Sequence, residues 1–265
     1  MYEFDYRRPG SLADALEALK SAPDGSALAG GQTLLPTLKQ RLASPSDLID
    51  LAGISELQGI AIDGDTVVIG AMTRHADVAA SPDVQGRIPA LAALAGDIGD
   101  RQVRNRGTIG GSVANNDPAA DYPAACLGLG ATIVTSAREV AADDFFTGLF
   151  ETALDDGELV TAVRFPTPGK AAYMKFKNPA SRYAIVGVFV AQAADGARVA
   201  VTGAGAGGVF RVADMERALT AEFAASALEG IAVPPDDLNS DIHASAEYRA
   251  HLVGVMARRA VAACG

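Results

Sequence analysis

The chain has 265 residues, 49% of them apolar, and a formal net charge of −10 at pH 7. Such an acidic chain lacks the basic face that nucleic-acid binding requires, and no apolar run approaches the roughly 18 to 20 residues of a membrane span. The N-terminus carries acidic residues and no apolar segment of signal-peptide length, so we expect a cytoplasmic protein without a transmembrane segment.

The composition also argues against a metal centre held by this chain. Its two cysteines, Cys126 and Cys264, are too few for an iron–sulfur cluster, which usually takes four thiolates. Only three histidines are present, so a His-rich site is not expected either. We therefore predict no metal site in the chain itself.

The first segments predict a helix, a strand and a second helix. Apolar residues recur at helical spacing over 11–20, and a short apolar run at 27–29 is typical of a buried strand. Gly30-Gly31 ends that strand, and leucines at helical spacing continue from Gln32 onward. The glycine pair therefore lies where a strand meets a helix N-terminus, which carries unpaired N–H groups and a partial positive charge.

The middle of the chain predicts alternating strands and helices around a second glycine motif. The predicted strands cover 47–51, 60–62, 66–69 and 131–135, with an Asp63-Gly64 hairpin turn. The predicted helices run from an N-cap at Thr73 to Ala80, over 88–98 and over 121–129, with a polar loop at 99–107.

The second glycine pair, Gly110-Gly111, lies in a motif that runs from Thr108 to Asp121. Glycines let a turn place backbone N–H groups against a ligand with no Cβ in the way, and the hydroxyls of Thr108 and Ser112 add donors. Either glycine pair alone is better explained as a plain turn. Two pairs, each flanked by hydroxyl or amide side chains and each beside a helix start, favour a ligand with two adjacent phosphates.

Asp117 and Asp121 leave three interpretations open. Pro118 between them favours a helix-entry turn in which Asp121 caps the following helix. Alternatively, one carboxylate accepts a hydrogen bond from a ribose hydroxyl, as acidic residues do in other nucleotide sites. Acid/base catalysis is the third interpretation, although no His or Lys lies nearby in the sequence.

The segment Pro166-Thr167-Pro168-Gly169 marks the predicted boundary between two domains, residues 1–168 and 169–265, because a strand-like run over 158–165 stops there. Three strand-like runs with short connections follow, which predicts an antiparallel meander, and the last third is helical. The runs cover 172–177, 184–191 and 197–202, and the helices cover 213–220, 223–230 and 245–264.

Residues 203–208 match the G-x-G-x-x-G pattern of dinucleotide-binding proteins. That fingerprint requires a helix to begin inside the motif, whereas here Val209 to Val212 intervene. The acidic residue about 20 positions on, Glu222, lies in a helical stretch instead of at a strand end. We interpret this segment as a flexible strand-to-helix loop.

Lys175, Lys177 and Arg182 form a basic cluster beside Tyr183 in an otherwise acidic chain. One interpretation is a solvated strand face. The other is that Lys177 or Tyr183 reaches a ring system or a phosphate of the ligand held by the glycine segments, where a cation stabilises a reduced, anionic cofactor.

Several motifs resemble the medium, FAD-binding subunit of the molybdenum hydroxylases, which include aerobic carbon monoxide dehydrogenase and xanthine dehydrogenase. The resemblance covers nearly the whole chain and rests on two glycine motifs in this order, at 29–39 and 108–121, and on the strand at 47–51. The tail at 240–249 is similar to the C-terminal flavoprotein domain of that family.

The resemblance implies an α+β fold: a two-subdomain FAD-binding region of the vanillyl-alcohol-oxidase (PCMH) type, then a small C-terminal flavoprotein domain of antiparallel sheet and helices. Residues 28–35 and 108–112 would embrace the FAD pyrophosphate, with Asp121 on the sugar or ribityl side. The resemblance also places Ile98 and Val160 against the cofactor, and Lys177 and Tyr183 near the isoalloxazine. The candidate FAD-binding residues are Leu28, Ala29, Gly30, Gly31, Gln32, Thr33, Leu34, Leu35, Ile98, Thr108, Gly110, Gly111, Ser112, Asn115, Asp117, Asp121, Val160, Lys177 and Tyr183.

The sequence departs from the family pattern at two positions. Arg182 stands where many relatives have an acidic residue, which changes the electrostatics expected around the flavin. His243 stands where the tail motif usually has Arg, which puts a partner contact there in doubt. The cysteine-bearing insertion that some relatives use for an extra iron–sulfur cluster is absent from the sequence.

The resemblance implies electron transfer through non-covalently bound FAD, from iron–sulfur clusters in a small partner subunit to a quinone or NAD. Molybdopterin would lie in a large partner subunit, the complex would be a dimer of heterotrimers, and the chain alone would not turn over substrate. A self-sufficient FAD oxidase with the same cofactor fold is the main alternative, and a binding module that has lost its cofactor is a second.

Overall fold

The structure, a computed structural model, describes residues 1–264 and begins with a small parallel sheet. The strands pair in the order β1-β3-β2, and the β2–β3 pairing is parallel, so the connection between them crosses over through a helix. Short 3-10 helices at Leu51–Gly53 and Ser55–Leu57 lead out of this sheet. The elements are β1 (Asp5–Arg7), α1 (Leu12–Ser21), β2 (Gly25–Leu28), α2 (Leu34–Lys39) and β3 (Asp47–Asp50).

The middle of the chain forms a five-stranded antiparallel sheet in the order β4-β5-β10-β6-β7, and a separate hairpin of β8 and β9. Helices fill the long connection between β5 and β6 and bury their apolar faces against this sheet. The elements are β4 (Ile60–Asp63), β5 (Thr66–Gly70), α3 (His75–Ala80), α4 (Pro82–Arg87), α5 (Pro89–Gly96), α6 (Arg101–Arg104), α7 (Ile109–Asn115), α8 (Tyr122–Leu129), β6 (Thr132–Thr135), β7 (Glu139–Ala141), α9 (Ala142–Phe145), β8 (Phe146–Gly148), β9 (Glu151–Thr152) and β10 (Val160–Pro166).

The last part of the chain forms a four-stranded antiparallel sheet in sequence order, with a long helix packed on one face. A 3-10 turn at Ala225–Leu228 follows the first of its helices. The elements are β11 (Lys170–Lys177), β12 (Ala184–Ala193), β13 (Gly196–Thr202), β14 (Phe210–Arg211), α10 (Ala213–Ala221) and α11 (Ala246–Ala263).

The two larger sheets share one core through helix α8. Every residue of α8 is buried, and its side chains belong to the same apolar cluster as Phe189 and Ala200 of the last sheet. A Cβ on Gly128 would lie 2.6 Å from the Phe189 ring, so the helix approaches the sheet closely only because this position is glycine. The chain on either side of Pro166–Gly169 therefore packs together over an apolar surface.

Most predicted elements are confirmed to within a few residues, including the antiparallel meander and the helix over 245–264. Other predictions were wrong. Thr73 does not cap α3, because its hydroxyl is bonded to the backbone of Gly59. The loop over 99–107 contains α6, since the Asp100 carboxylate accepts a hydrogen bond from the Val103 amide and starts a helical turn.

Four further predictions need adjustment. The helix predicted from Gln32 begins at Leu34, and the helix predicted over 223–230 is reduced to the 3-10 turn. The hairpin turn is centred on Gly64-Asp65, because Asp63 pairs with Thr66. The glycine-rich stretch at 203–208 joins β13 to the short strand β14, which pairs back on it, so no dinucleotide-binding helix begins there.

None of the helices within residues 1–264 is both long enough and apolar enough to cross a membrane.

The last sheet is joined to the 239–244 segment and to α11 through one buried arginine. Arg249 is 3% exposed, and its guanidinium donates to the carbonyl oxygens of Ile185 and Gly203 at 2.7 and 2.9 Å. It also pairs with the Asp241 carboxylate at 2.7 Å. These bonds fix α11 over the start of β12 and the end of β13.

Replacing Arg249 by Met should lower the free energy of unfolding by about 2–4 kcal/mol, because two buried carbonyl groups lose their donor. Urea denaturation followed by far-UV circular dichroism measures this change. Arg259, which is exposed on the same helix, provides the control: its Met variant should stay within about 0.5 kcal/mol of the wild type. Equal stability of the two variants would contradict the role given to Arg249.

Candidate functional site

One cleft of about 560 Å³ runs between the three parts of the fold, a volume typical of small-molecule sites. Sixteen of the nineteen candidate residues lie on its wall, although they come from distant parts of the sequence. The sixteen are Ala29, Gly30, Gly31, Gln32, Thr33, Leu34, Ile98, Thr108, Gly110, Gly111, Ser112, Asn115, Asp117, Asp121, Val160 and Tyr183.

The three remaining candidates lie behind or beyond the wall. A Cβ on Gly31 would come within 2.8 Å of the Leu35 side chain and 3.2 Å of Leu28, so these two leucines pack behind the first glycine segment. The Lys177 ammonium group forms an ion pair with Asp97 and is not part of the wall. Leu28 and Leu35 thus support the cleft without lining it.

The first glycine segment presents unpaired backbone donors. Gly31 has a φ of +71°, a left-handed conformation that glycine adopts without strain. The N–H groups of residues 30 to 33 meet no acceptor within residues 1–264, while the Gly31 carbonyl already receives the Leu35 amide. A run of such donors at the start of a helix forms an anion-binding surface.

The second glycine pair differs from the predicted turn, because it lies in the first turn of α7 and its amides are already bonded. The Gly110 amide donates to the Ala71 carbonyl at 2.8 Å, and the Gly111 amide donates to the Thr108 hydroxyl at 3.2 Å. A Cβ on Gly110 would lie 2.4 Å from the Ala71 Cβ. These glycines therefore allow close packing, and the prediction that both pairs offer free amides was wrong for this one.

The two glycine segments nevertheless meet. A Cβ on Gly30 would lie 2.3 Å from the Arg106 carbonyl oxygen and 2.7 Å from the Gly107 Cα. Backbone thus packs directly against backbone, and both segments face the same cleft. A Cβ on Gly111 would likewise lie 3.2 Å from the Ala29 Cβ, so the two glycine pairs lie close together in the fold.

Ser112, Asn115 and Asp117 continue the polar wall beyond the second glycine pair. Among the described residues, the side chains of Ser112 and Asn115 have no hydrogen-bond partner, so both are free to bind a ligand. One Asp117 oxygen accepts the Ala119 amide at 2.9 Å, and burial raises the pKa of this carboxyl. Asp117 therefore forms a local turn of the type expected for helix entry.

Asp121 has a different role from a helix cap. It lies at the N-cap position of α8 but has helical backbone angles and makes no capping hydrogen bond, so that interpretation was wrong. Its buried carboxylate accepts hydrogen bonds from the Tyr173 hydroxyl and from the Lys175 ammonium group, the latter at 3.1 Å. Burial raises the pKa of the carboxyl, while Lys175 and Tyr173 act in the opposite direction.

The basic cluster on β11 is mostly engaged with acidic residues of the preceding part of the chain. The Lys175 side chain is 1% exposed and also donates to the Asp97 carbonyl at 3.0 Å. The solvated-face interpretation was therefore wrong for Lys175, which is a buried cation. Together with the Lys177–Asp97 pair, it fixes β11 against the segment that follows α5.

The apolar part of the wall contains Ile98, Val160 and Tyr183. Val160 begins β10 next to a bulge, where the register with β6 shifts by one residue. Tyr183 is 47% exposed and stands on the β11–β12 connection. Burial raises the pKa of its hydroxyl, and the carboxylates of Asp117 and Asp121 raise it further.

Several wall residues escaped the sequence-based prediction. His75 is buried, and burial and then Arg104 lower its pKa to about 4, so its imidazole is neutral at physiological pH. Its Nδ1 atom meets no hydrogen-bond partner among the described residues. Leu51 and Met72 line the cleft just beyond the ends of β3 and β5. Their position after buried strands is the signal that could have identified them.

Comparison with known proteins gives consistent matches along the chain. The family described as FAD binding domain in molybdopterin dehydrogenase matches residues 2–168. The chain is 38% identical to the carbon monoxide dehydrogenase medium chain of Hydrogenophaga pseudoflava, covering 97% of this chain and 96% of the relative. It is 36% identical to the nicotine 6-hydroxylase medium subunit of Paenarthrobacter nicotinovorans, covering 98% and 96%.

A solved structure extends the likeness to the fold. Carbon monoxide dehydrogenase from Hydrogenophaga pseudoflava, in a form lacking the Mo-pyranopterin moiety, superposes with a TM-score of 0.89 at 37% identity. The superposition covers 99% of this chain and 97% of the other. The likeness therefore includes the C-terminal sheet and helices as well as residues 2–168.

Replacing Gly30 by Ala should separate the two glycine segments, because the new methyl group would overlap the Arg106 carbonyl. We expect a loss of about 1–3 kcal/mol in the free energy of unfolding and weaker binding of FAD. Urea denaturation and equilibrium dialysis measure the two effects. Gly10, whose Cβ would meet open space, is the matched control. A Gly30→Ala variant that matches Gly10→Ala in both measurements would rule out the close contact.

Replacing Lys175 by Met should make stability strongly dependent on pH. The pKa of Asp121 is already raised by burial from 3.8, and loss of the cation raises it further. A carboxyl whose pKa is higher in the folded than in the unfolded state stabilises the fold at pH values below its unfolded-state pKa. This contribution is lost as the pH rises through the folded-state pKa. The free energy of unfolding should fall above about pH 4, by about 1.4 kcal/mol for each unit of added shift.

Urea denaturation across a pH series tests this expectation against the wild type. The control is the double variant Asp121→Asn with Lys175→Met, which has no carboxyl to titrate at this position. The free energy of unfolding of this double variant should not show the additional decrease with rising pH. If the slope persisted in the double variant, the titrating group would be a residue other than Asp121.

Proposed function

The chain belongs to the family of FAD-binding domains found in molybdopterin dehydrogenases, and on this basis we propose that it is the FAD-binding medium subunit of a molybdenum hydroxylase complex. Its role there is electron transfer. Bound FAD supplies the redox chemistry, and the residues of this chain bind and orient it.

The residues of the cleft suit FAD. The observation that carries the proposal is the run of four unpaired amides at 30–33, directly opposite the segment at 106–111. A diphosphate offers the acceptors that these N–H groups lack, and a helix N-terminus favours its negative charge. A Cβ at Gly30 would overlap the Arg106 backbone, so the absence of a side chain lets the two segments lie side by side at the cleft.

We further propose which part of FAD each group of wall residues contacts. Residues 28–35 and 108–112 surround the pyrophosphate, the former through the free amides of residues 30–33 and the latter through the Thr108 and Ser112 hydroxyls. Asp121 faces the sugar or ribityl side. The ring systems pack against Ile98, Val160 and Tyr183. Asn115 and Asp117 provide further polar contacts with FAD. We assign Lys177 no direct contact with FAD, because it pairs with Asp97.

The substrate is bound elsewhere in the complex. Two relatives of nearly equal similarity are named for carbon monoxide dehydrogenase and nicotine 6-hydroxylase, so one type of medium subunit serves complexes with unrelated substrates. We propose that molybdopterin lies in a large partner subunit and the iron–sulfur clusters in a small one. Among the described residues no group of three or more His, Cys, Asp or Glu is arranged to hold a metal ion.

We also propose a cytoplasmic dimer of heterotrimers, with a quinone or NAD as terminal acceptor. Within the chain, we propose a division into residues 1–168, which bind FAD, and residues 169–265, which complete the cleft through the β11–β12 connection. The change from the five-stranded to the four-stranded sheet between Pro166 and Lys170 supports that division.

The purified chain should take up FAD non-covalently and should not oxidise small alcohols, amines or the substrate of its complex. Absorbance after gel filtration with excess FAD, and release of the flavin on acid precipitation, check the first part. Anaerobic mixing with candidate substrates checks the second. Rapid flavin reduction by a small alcohol or amine would favour a self-sufficient oxidase, and a colourless preparation would contradict FAD binding. Isolation of the native complex, with metal analysis, identifies the partner subunits.

A further inference from the structure

One buried residue, Asn178, holds the connection between β11 and β12 in a hydrogen-bonded turn. Asn178 is 8% exposed, and its side-chain oxygen accepts hydrogen bonds from the amides of Ala180 and Ser181 at 2.9 and 3.2 Å. Its own amide donates to the Tyr183 carbonyl at 2.8 Å, and its carbonyl accepts the Arg182 amide at 2.9 Å. Four hydrogen bonds from one residue thus fix a six-residue connection.

This connection holds a strained backbone. Arg182 has a φ of +64°, in the left-handed region that residues with a Cβ rarely adopt. Such strain persists only where the surrounding contacts determine it. Here those contacts are the hydrogen bonds of Asn178 and a 3.4 Å bond from the Arg182 guanidinium to the Gly99 carbonyl.

The strained turn presents three successive residues to the cleft. Ser181, Arg182 and Tyr183 line the wall, whereas Asn178 does not. The Tyr183 ring remains 47% exposed, and its hydroxyl has no partner among the described residues. An exposed aromatic ring held on a rigid connection is suited to pack against a planar ring of a ligand, since little rotational freedom is lost on binding.

We propose that Asn178 is a positioning residue, which holds Tyr183 at the mouth of the cleft without touching the cofactor itself. The inference rests on the proposed function, because the ring that Tyr183 meets belongs to bound FAD. Asn178 acts through the turn: it satisfies two amides that would otherwise compete for other partners, and it keeps Arg182 in the conformation that directs Tyr183 into the cleft.

The test compares Asn178→Ala with Asn178→Asp. Alanine removes the acceptor of two amides, whereas the aspartate carboxylate accepts the same two bonds. We expect Asn178→Ala to weaken FAD binding about tenfold, to reduce the quenching of bound-flavin fluorescence, and to increase trypsin cleavage after Arg182 in the FAD-free chain. Asn178→Asp should restore all three properties to near the wild type.

Asn239→Ala is the matched control, because the Asn239 side chain also holds a loop, by donating to the Gly205 carbonyl at 2.9 Å, and lies outside the cleft. It should leave the three properties unchanged, and thermal unfolding reports whether each variant folds. The inference is overturned if Asn178→Ala keeps wild-type affinity and quenching, or if Asn178→Asp fails to rescue them. A wild-type chain that takes up no FAD would instead contradict the proposed function.

Discussion

The cleft depends on one close contact, in which Gly30 packs against the backbone of Arg106 and Gly107. No side chain fits at this contact, since a Cβ on Gly30 would lie 2.3 Å from a carbonyl oxygen. The parallel sheet supplies one partner, through the end of β2, and the segment that leads into α7 supplies the other. The floor of the cleft is therefore backbone, and its free N–H groups are on one side only. The first segment thus carries the free amides, whereas the glycines of the second segment allow close packing.

The last part of the chain adds residues 181–183 to the wall, and ion pairs from β11 join this part to the rest of the chain. Lys175 and Lys177 reach from β11 to Asp121 and Asp97, so two ion pairs join the last sheet to the middle of the chain. A buried pair such as Asp121–Lys175 gives little net stability by itself, because both groups lose their hydration. Breaking the pair by removing one partner would leave an unpaired buried charge, so the contact holds β11 against the start of α8.

The sequence predicted those features of the fold that depend on residues close together in the chain. Helical spacing, strand-like runs and the two glycine pairs located most elements, because these signals are local. The bonding of the Gly110 amide could not be predicted, since its acceptor at Ala71 is 39 positions away and depends on how β5 ends. The same holds for Asp121, whose partners lie on β11 and turn an apparent helix cap into a buried ion pair. His75 gave no signal, because its neutral state results from burial and from the nearby Arg104 in the folded chain.

The wall of the cleft is built from three pieces that the chain connects only at a distance, so contacts between the pieces determine its geometry. Three such contacts join the pieces: Gly30 on Gly107, Lys175 on Asp121, and Arg182 on the carbonyl of Gly99. A ligand that touches all three pieces adds interactions that the unfolded chain cannot make, and it stabilises the fold in proportion to the logarithm of its concentration over its dissociation constant. Binding of the cofactor and docking of the last sheet are then coupled, since each one favours the arrangement that the other requires.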